Sequence, residues 1–119
     1  MIHKVSKTFL GSGTNNIGSN IRGYLLAVKV VADSAVTDNF DVTLTGATSG
    51  IPMLLDITVT KNTTTWWHPR VLATNSGSGA AATDAFVEIP ICDEPIQCVT
   101  ANAGATGEIT VTAFYDTEQ

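Results

Sequence analysis

Phe40-Asp41-Val42-Thr43-Leu44-Thr45 alternates apolar and polar side chains along its whole length. Successive side chains of a strand point to opposite faces, so Phe40, Val42 and Leu44 share one face. Asp41, Thr43 and Thr45 share the other. This period of two marks a strand with one face packed and one face wet. The flanks punctuate it: Asp33 to Asn39 is rich in turn residues, and Gly46 to Gly50 reads as a loop.

Working outward, Arg22 to Asp33 is rich in Leu and Val and reads as a long, largely buried strand. Ile51 to Thr60 gives another strand, with Lys61-Asn62 opening a turn. Ala85 to Cys92 is a strand broken near Pro90, and Ile96 to Ala101 is a further one. In the last strand, Glu108 to Tyr115, one face carries Ile109, Val111, Ala113 and Tyr115. Its other face carries Glu108, Thr110, Thr112 and Phe114. The linker Asn102 to Gly107 is short and contains glycine, so these final two strands are expected to pair as a hairpin. Gly11 to Asn20 and Ala73 to Thr83 are rich in Gly, Ser, Asn and Ala and read as mobile loops. No stretch sustains a 3.6-residue apolar period. The pattern predicts an all-β, single-domain antiparallel β-sandwich or small barrel with long glycine-rich loops. Residues 1–21 are expected to form an N-terminal arm and flexible loop, and residues 22–119 the sandwich.

A chain of 119 residues is the size of one domain. Charged residues make up only 14%, against about 25% in ordinary globular chains. Thr, Ser, Asn and Gly replace them. A surface so poor in charge fits one that neighbouring subunits cover, since charge is depleted at interface cores. The net charge is -5, and the six Lys and Arg form no cluster. A phosphate-tracking stripe is therefore missing, and nucleic acid is excluded as the expected partner. Met1 to Leu10 has no continuous apolar stretch and reads as neither a secretory signal nor a membrane anchor. No apolar run reaches the ~20 residues that span a bilayer. A soluble product made in the cytoplasm is expected, with no membrane partner. Cys92 and Cys98 are then expected as two buried free thiols, a cross-strand disulfide being the alternative.

Chemistry-bearing motifs are scarce. The G-x-S-x-G elbow and the phosphate-binding G-x-x-x-x-G-K-[ST] are both absent. Gly11-Ser12-Gly13 and Gly77-Ser78-Gly79 lack the strand-then-helix setting of a phosphate loop. His3 and His68 are tied to no carboxylate in sequence and read as surface or subunit-contact residues. Asp33, Asp38 and Asp41 fall close together but without calcium-loop spacing, so they read as turn residues. Asp93-Glu94, just before Pro95, also reads as a turn. Asn62-Thr63-Thr64 matches the glycosylation pattern but carries little meaning in a chain read as lacking an export signal. No catalytic residue, metal or cofactor is expected.

Trp66-Trp67 resists that bland account. If Thr63 to Val71 is extended, Trp67 shares a face with Pro69 and Val71, which suits burial. Trp66 shares its face with Thr64 and His68, which looks wetter. Exposed tryptophan is favoured at interfaces. Either Trp66 and His68 contact another subunit or ligand, or both tryptophans are covered inside one sandwich, or Pro69 distorts the strand. Ile2 and His3, on the expected arm, join Trp66 and His68 as candidate interface residues.

Gly23-Tyr24-Leu25-Leu26-Ala27-Val28-Lys29-Val30-Val31, followed by Asp38-Asn39-Phe40-Asp41-Val42-Thr43-Leu44-Thr45, resembles small tailed-phage virion proteins in which such a strand precedes a glycine loop. The ending is similar too: a Pro-Ile strand, Asn102-Ala103-Gly104, then a strand alternating Thr with apolar residues. The resemblance spans residues 22–115 as a pattern of strands and turns, and transfers no functional residue. It implies a head decoration (cement) protein located in the virion. Such proteins act without cofactors, commonly as trimers, on the major capsid protein and on other copies of themselves. An arm over residues 1–20 would order on docking. The alternative is a carbohydrate-binding β-sandwich module of a tail fibre or polysaccharide-degrading enzyme, with Trp66, Trp67 and Tyr115 stacking on sugar rings.

Overall fold

The computed structural model describes residues 1–74 and 81–117. Nine strands run through them: β1 Ile2–Leu10, β2 Gly13–Ala32, β3 Phe40–Gly46, β4 Pro52–Val59, β5 Thr64–Trp67, β6 Val71–Thr74, β7 Ala81–Val87, β8 Ile89–Ala101 and β9 Glu108–Asp116. Among the described residues there is no helix.

β2 organises everything else because it is long enough to serve several partners. Its first part, from Gly13 to Leu25, pairs with β8, and its last part, from Tyr24 to Ala32, pairs with β9. β5 joins it beside Val28 to Val31. The far edge of β8 takes β3, and β3 takes β4. β1 completes the other side by pairing with β9, so the order is β1-β9-β2-β8-β3-β4, antiparallel throughout. β6 and β7 form a separate two-stranded sheet.

A flat sheet without helices could not bury one face. Here inward side chains from both halves belong to one buried cluster. Phe9, Val28, Ile109 and Val111 come from one side, and Val42, Leu44, Ile96 and Cys98 from the other. The sheet is therefore doubled over along β2 into two layers, a sandwich-like arrangement. β1, β9, the end of β2 and β5 make the first layer. The start of β2 with β8, β3 and β4 makes the second.

Two devices let β2 change layers. Gly23 has φ of +133°, and a Cβ there would overlap the carbonyl oxygen of Asp116. Only glycine tolerates that backbone and that approach together. Three residues on, the register shifts between Leu25 and Ala27, leaving Leu26 as a bulge. A bulge reverses which parity faces inward. Ile17, Ile21 and Leu25 point into the core before it, and Val28, Val30 and Ala32 after it. The Arg70 guanidinium donates to the Leu26 carbonyl at 3.1 Å.

The alternating strands behave as expected. Phe40, Val42 and Leu44 are buried in β3, and Ile109, Val111 and Ala113 in β9. Elsewhere the chain departs from expectation. The predicted hairpin between the last two strands does not form: β8 and β9 lie on opposite edges of β2, and residues 102–107 cross between layers. That crossing packs on the first corner, where Gly11 and Ser12 donate their N–H groups to the carbonyls of Gly107 and Gly104. Residues 1–21, expected as an arm and loop, instead form β1 and the start of β2, and the boundary drawn at residue 22 falls inside a strand. β1 and β9 pair without interruption from Ile2↔Asp116 to Leu10↔Glu108.

The expected turn at Asp93-Glu94 is a bulge within one continuous β8, with Asp93 at φ of +56°. Cys92 and Cys98 therefore sit along a single strand, about 20 Å apart at 3.3 Å per residue, too far for a disulfide. Both are free, but Cys92 is exposed and only Cys98 is buried. Of the expected loop Ala73 to Thr83, residues 75–80 lie outside the described residues, and its flanks belong to β6 and β7.

Candidate interaction surface

The outward face of the first layer is built from cross-strand rows. Trp66 lies opposite Lys29, Lys29 opposite Thr112, and Thr112 opposite Ser6. One row along come Thr64, Val31, Thr110 and Thr8, and on the other side Ala27, Phe114 and Lys4. The hydroxyls satisfy one another: Ser6 with Thr112 at 2.8 Å, and Thr8 with Thr110 at 2.9 Å. These rows hold two lysines and no carboxylate. A face of paired hydroxyls, methyl groups and few charges loses little hydration free energy when another protein covers it.

Trp66 stands at one margin of this face, 49% exposed. Its ring stacks on Phe114 with centroids 5.5 Å apart, and the Lys29 ammonium lies 5.4 Å from the ring centre. Ring and cation hold the indole in one orientation before any partner arrives. Ile2, 65% exposed, projects from the same layer with the parity of Lys4. His3 has the opposite parity and stacks on Tyr115, with ring centroids 5.4 Å apart. His68 is exposed just past the end of β5. The four candidates therefore do not converge: Trp66 and Ile2 share a face three strands apart, and His3 faces inward. Phe114 and Lys29 were missed as partners of Trp66. The available signal was an aromatic, Phe114, on the threonine face of β9.

The other candidates resolve into structural roles. Trp67 and Tyr115 pack against the core while Trp66 faces out, so the three rings proposed for sugar stacking share no surface. Asp33 accepts the Ala35 N–H at 2.9 Å, a turn bond within its own loop. Asp41 accepts from the Thr58 hydroxyl at 2.9 Å and from the Asn102 amide at 3.1 Å. Among the described residues, no three His, Cys, Asp or Glu side chains are grouped to hold a metal ion. An open depression of about 420 Å³ between the 33–39 loop and the 61–62 turn is lined by Ser34, Val36, Thr37, Lys61 and Asn62. It offers no acid–base pair.

Glu94 is the buried carboxylate that sequence reading placed in a turn. Only 2% exposed, it accepts N–H bonds from Thr48 at 2.7 Å and Ser49 at 2.8 Å, and from Cys92 at 3.3 Å. Bonds from Ser49 above all hold its carboxyl below the ordinary value of 4.5. It is a charged clamp on the β3–β4 loop, kept ionised, and so unsuited to general-acid work.

This fold occurs in a phage shell. A chain of the cyanophage Pam1 capsid asymmetric unit superposes with a TM-score of 0.53 at 16% identity, covering 97% of this chain and 82% of that one. No protein-family model matches the sequence, and no curated protein matches it either. At such low identity the likeness is one of fold. It extends over both layers, since the matched region takes in nearly the whole chain.

Proposed function

We propose that this chain is a bacteriophage virion structural protein, a capsid decoration (cement) protein that stabilises the head shell through subunit contacts. The observation that carries this reading is the fold likeness to a capsid chain over 97% of its length. The low charge and the hydroxyl-paired outer face support it. In this reading the outward face that runs from Trp66 on β5 to Ile2 on β1, with His68 just past the end of β5, docks on the major capsid protein or on another copy of the chain, and the docked form is a trimer. His3 supports the edge from beneath through Tyr115. The work is done by mass action: surface buried in the assembled state raises the free energy needed to separate subunits. No chemical step is involved, and the protein resides in the virion.

The test is quantitative mass spectrometry of density-gradient-purified particles from a lysate of the host that carries the gene. The chain should copurify at a copy number comparable to that of the major capsid protein. Particles that lack it altogether would overturn the reading. Deleting the gene should lower the temperature at which heads release DNA.

A further inference from the structure

Among the described residues, β1 pairs only with β9, which leaves its other edge open. Open edges are normally blunted by bulges, prolines, shortness or charged side chains, lysine above all. The other edges of the seven-stranded sheet are: β4 begins at Pro52 and carries a bulge at Leu55-Asp56, with Asp56 at φ of +51°, and β5 is four residues long. Of these devices β1 has lysine alone, at Lys4 and Lys7, and these repel a partner only in registers that bring them together. It is nine residues of regular strand without Pro or Gly, and its terminal residues Ile2 and Leu10 are 65% and 63% exposed.

We infer that the β1 edge pairs antiparallel with β1 of a second copy of this chain, Ser6 facing Ser6 across a two-fold axis. Such an axis must stand perpendicular to the sheet, so partners i and j belong to the same face and i + j is even. The register with a sum of 12 alone overlaps all of Ile2–Leu10. It sets Ile2 opposite Leu10, covering the two exposed apolar ends with each other. Lys4 faces Thr8, Val5 faces Lys7, and His3 faces Phe9. No lysine meets a lysine. Shifting the sum to 14 puts Lys7 on Lys7, and shifting it to 8 puts Lys4 on Lys4. A sum of 10 brings His3 against Lys7 and leaves Leu10 without a partner. The self-complementary distribution of charge and apolar ends thus selects both the occupant and the register. The product is a sheet continuous through β9, β1 and their two counterparts, with the Ser6–Thr112 row running across the joint. This inference concerns the free chain in solution and stands independently of the virion reading, whose trimer is a docked form.

The test uses the full chain in two measurements. Sedimentation equilibrium should show a reversible dimer in the wild type. Ser6→Lys, which sets two ammonium groups face to face, should weaken that dimer by about fivefold or more, while the dilute monomer, having lost only the Ser6–Thr112 bond, stays folded. In a Cys92→Ser background, Ser6→Cys should form a disulfide-linked dimer on mild oxidation. Thr8→Cys should not, because its counterpart would lie about 13 Å away. A wild type that stays monomeric at every concentration, a Ser6→Lys dimer of undiminished affinity, or crosslinking through Thr8→Cys in place of Ser6→Cys would overturn the inference.

Discussion

Replacing Gly23 by alanine tests the corner on which the two-layer arrangement depends. At φ of +133° an L-residue is strained, which costs about 1–3 kcal/mol. The new Cβ would also overlap the Asp116 oxygen and lie 2.9 Å from its carbonyl carbon. Both are backbone atoms of a paired strand and cannot rotate away, so overpacking adds about 1–3 kcal/mol. The sum is about 2–6 kcal/mol, much of the 5–15 kcal/mol that a typical domain possesses. Gly50→Ala is the matched control: φ is +73°, with nothing within 4 Å of the added methyl. Strain alone there costs about 1–2 kcal/mol. Urea unfolding followed by tryptophan fluorescence gives both values, provided that the slope m is unchanged. Gly23→Ala should lose clearly more stability than Gly50→Ala. Equal losses would mean that β2 does not pass β9 at Gly23, and the doubled-over sheet would have to be abandoned.

Acid stability should respond to Glu94. Its carboxyl titrates below 4.5 when folded, so its contribution is present above that value and disappears as pH falls through the lower folded one. Thermal melts across that acid range should therefore decline more steeply in the wild type than in Glu94→Gln, and parallel curves would remove Glu94 from its clamp. The two thiols should differ in reactivity: Cys98 is buried and its pKa is pushed up to about 12. A thiol-reactive dye at pH 8 should label Cys92 alone in the native protein and both cysteines in denaturant. The tryptophans should separate as well. Trp66→Ala gives up its contacts with Phe114 and Lys29, a loss of about 1–2 kcal/mol, and leaves a folded monomer that binds heads poorly. Trp67→Ala opens the core and should cost about 3 kcal/mol in calorimetry.

What was legible along the chain was whatever depends on neighbouring residues. The alternation in residues 40–45 and 108–115 assigned each side chain to its face, because the pleat makes side-chain direction a property of position alone. The same rule separated Trp66 from Trp67. Glu94 was misread because Asp93-Glu94-Pro95 has the composition of a turn. The Thr48 and Ser49 amides, 45 or more residues away, supply the shortest bonds that make a buried carboxylate acceptable there.

By itself the sequence determined an all-β chain, the inward faces of β3 and β9, and a surface poor in charge. The tertiary structure alone decided which strands are neighbours: that β2 separates β8 from β9, that residues 2–10 are strand and not arm, and that Trp66 rests on Phe114. The physical reason is range. Strand propensity and face are set within a few residues, whereas pairing is a competition among all available edges. β2, twenty residues long, wins three of them, those of β8, β9 and β5, by turning at a glycine and reversing its parity at Leu26.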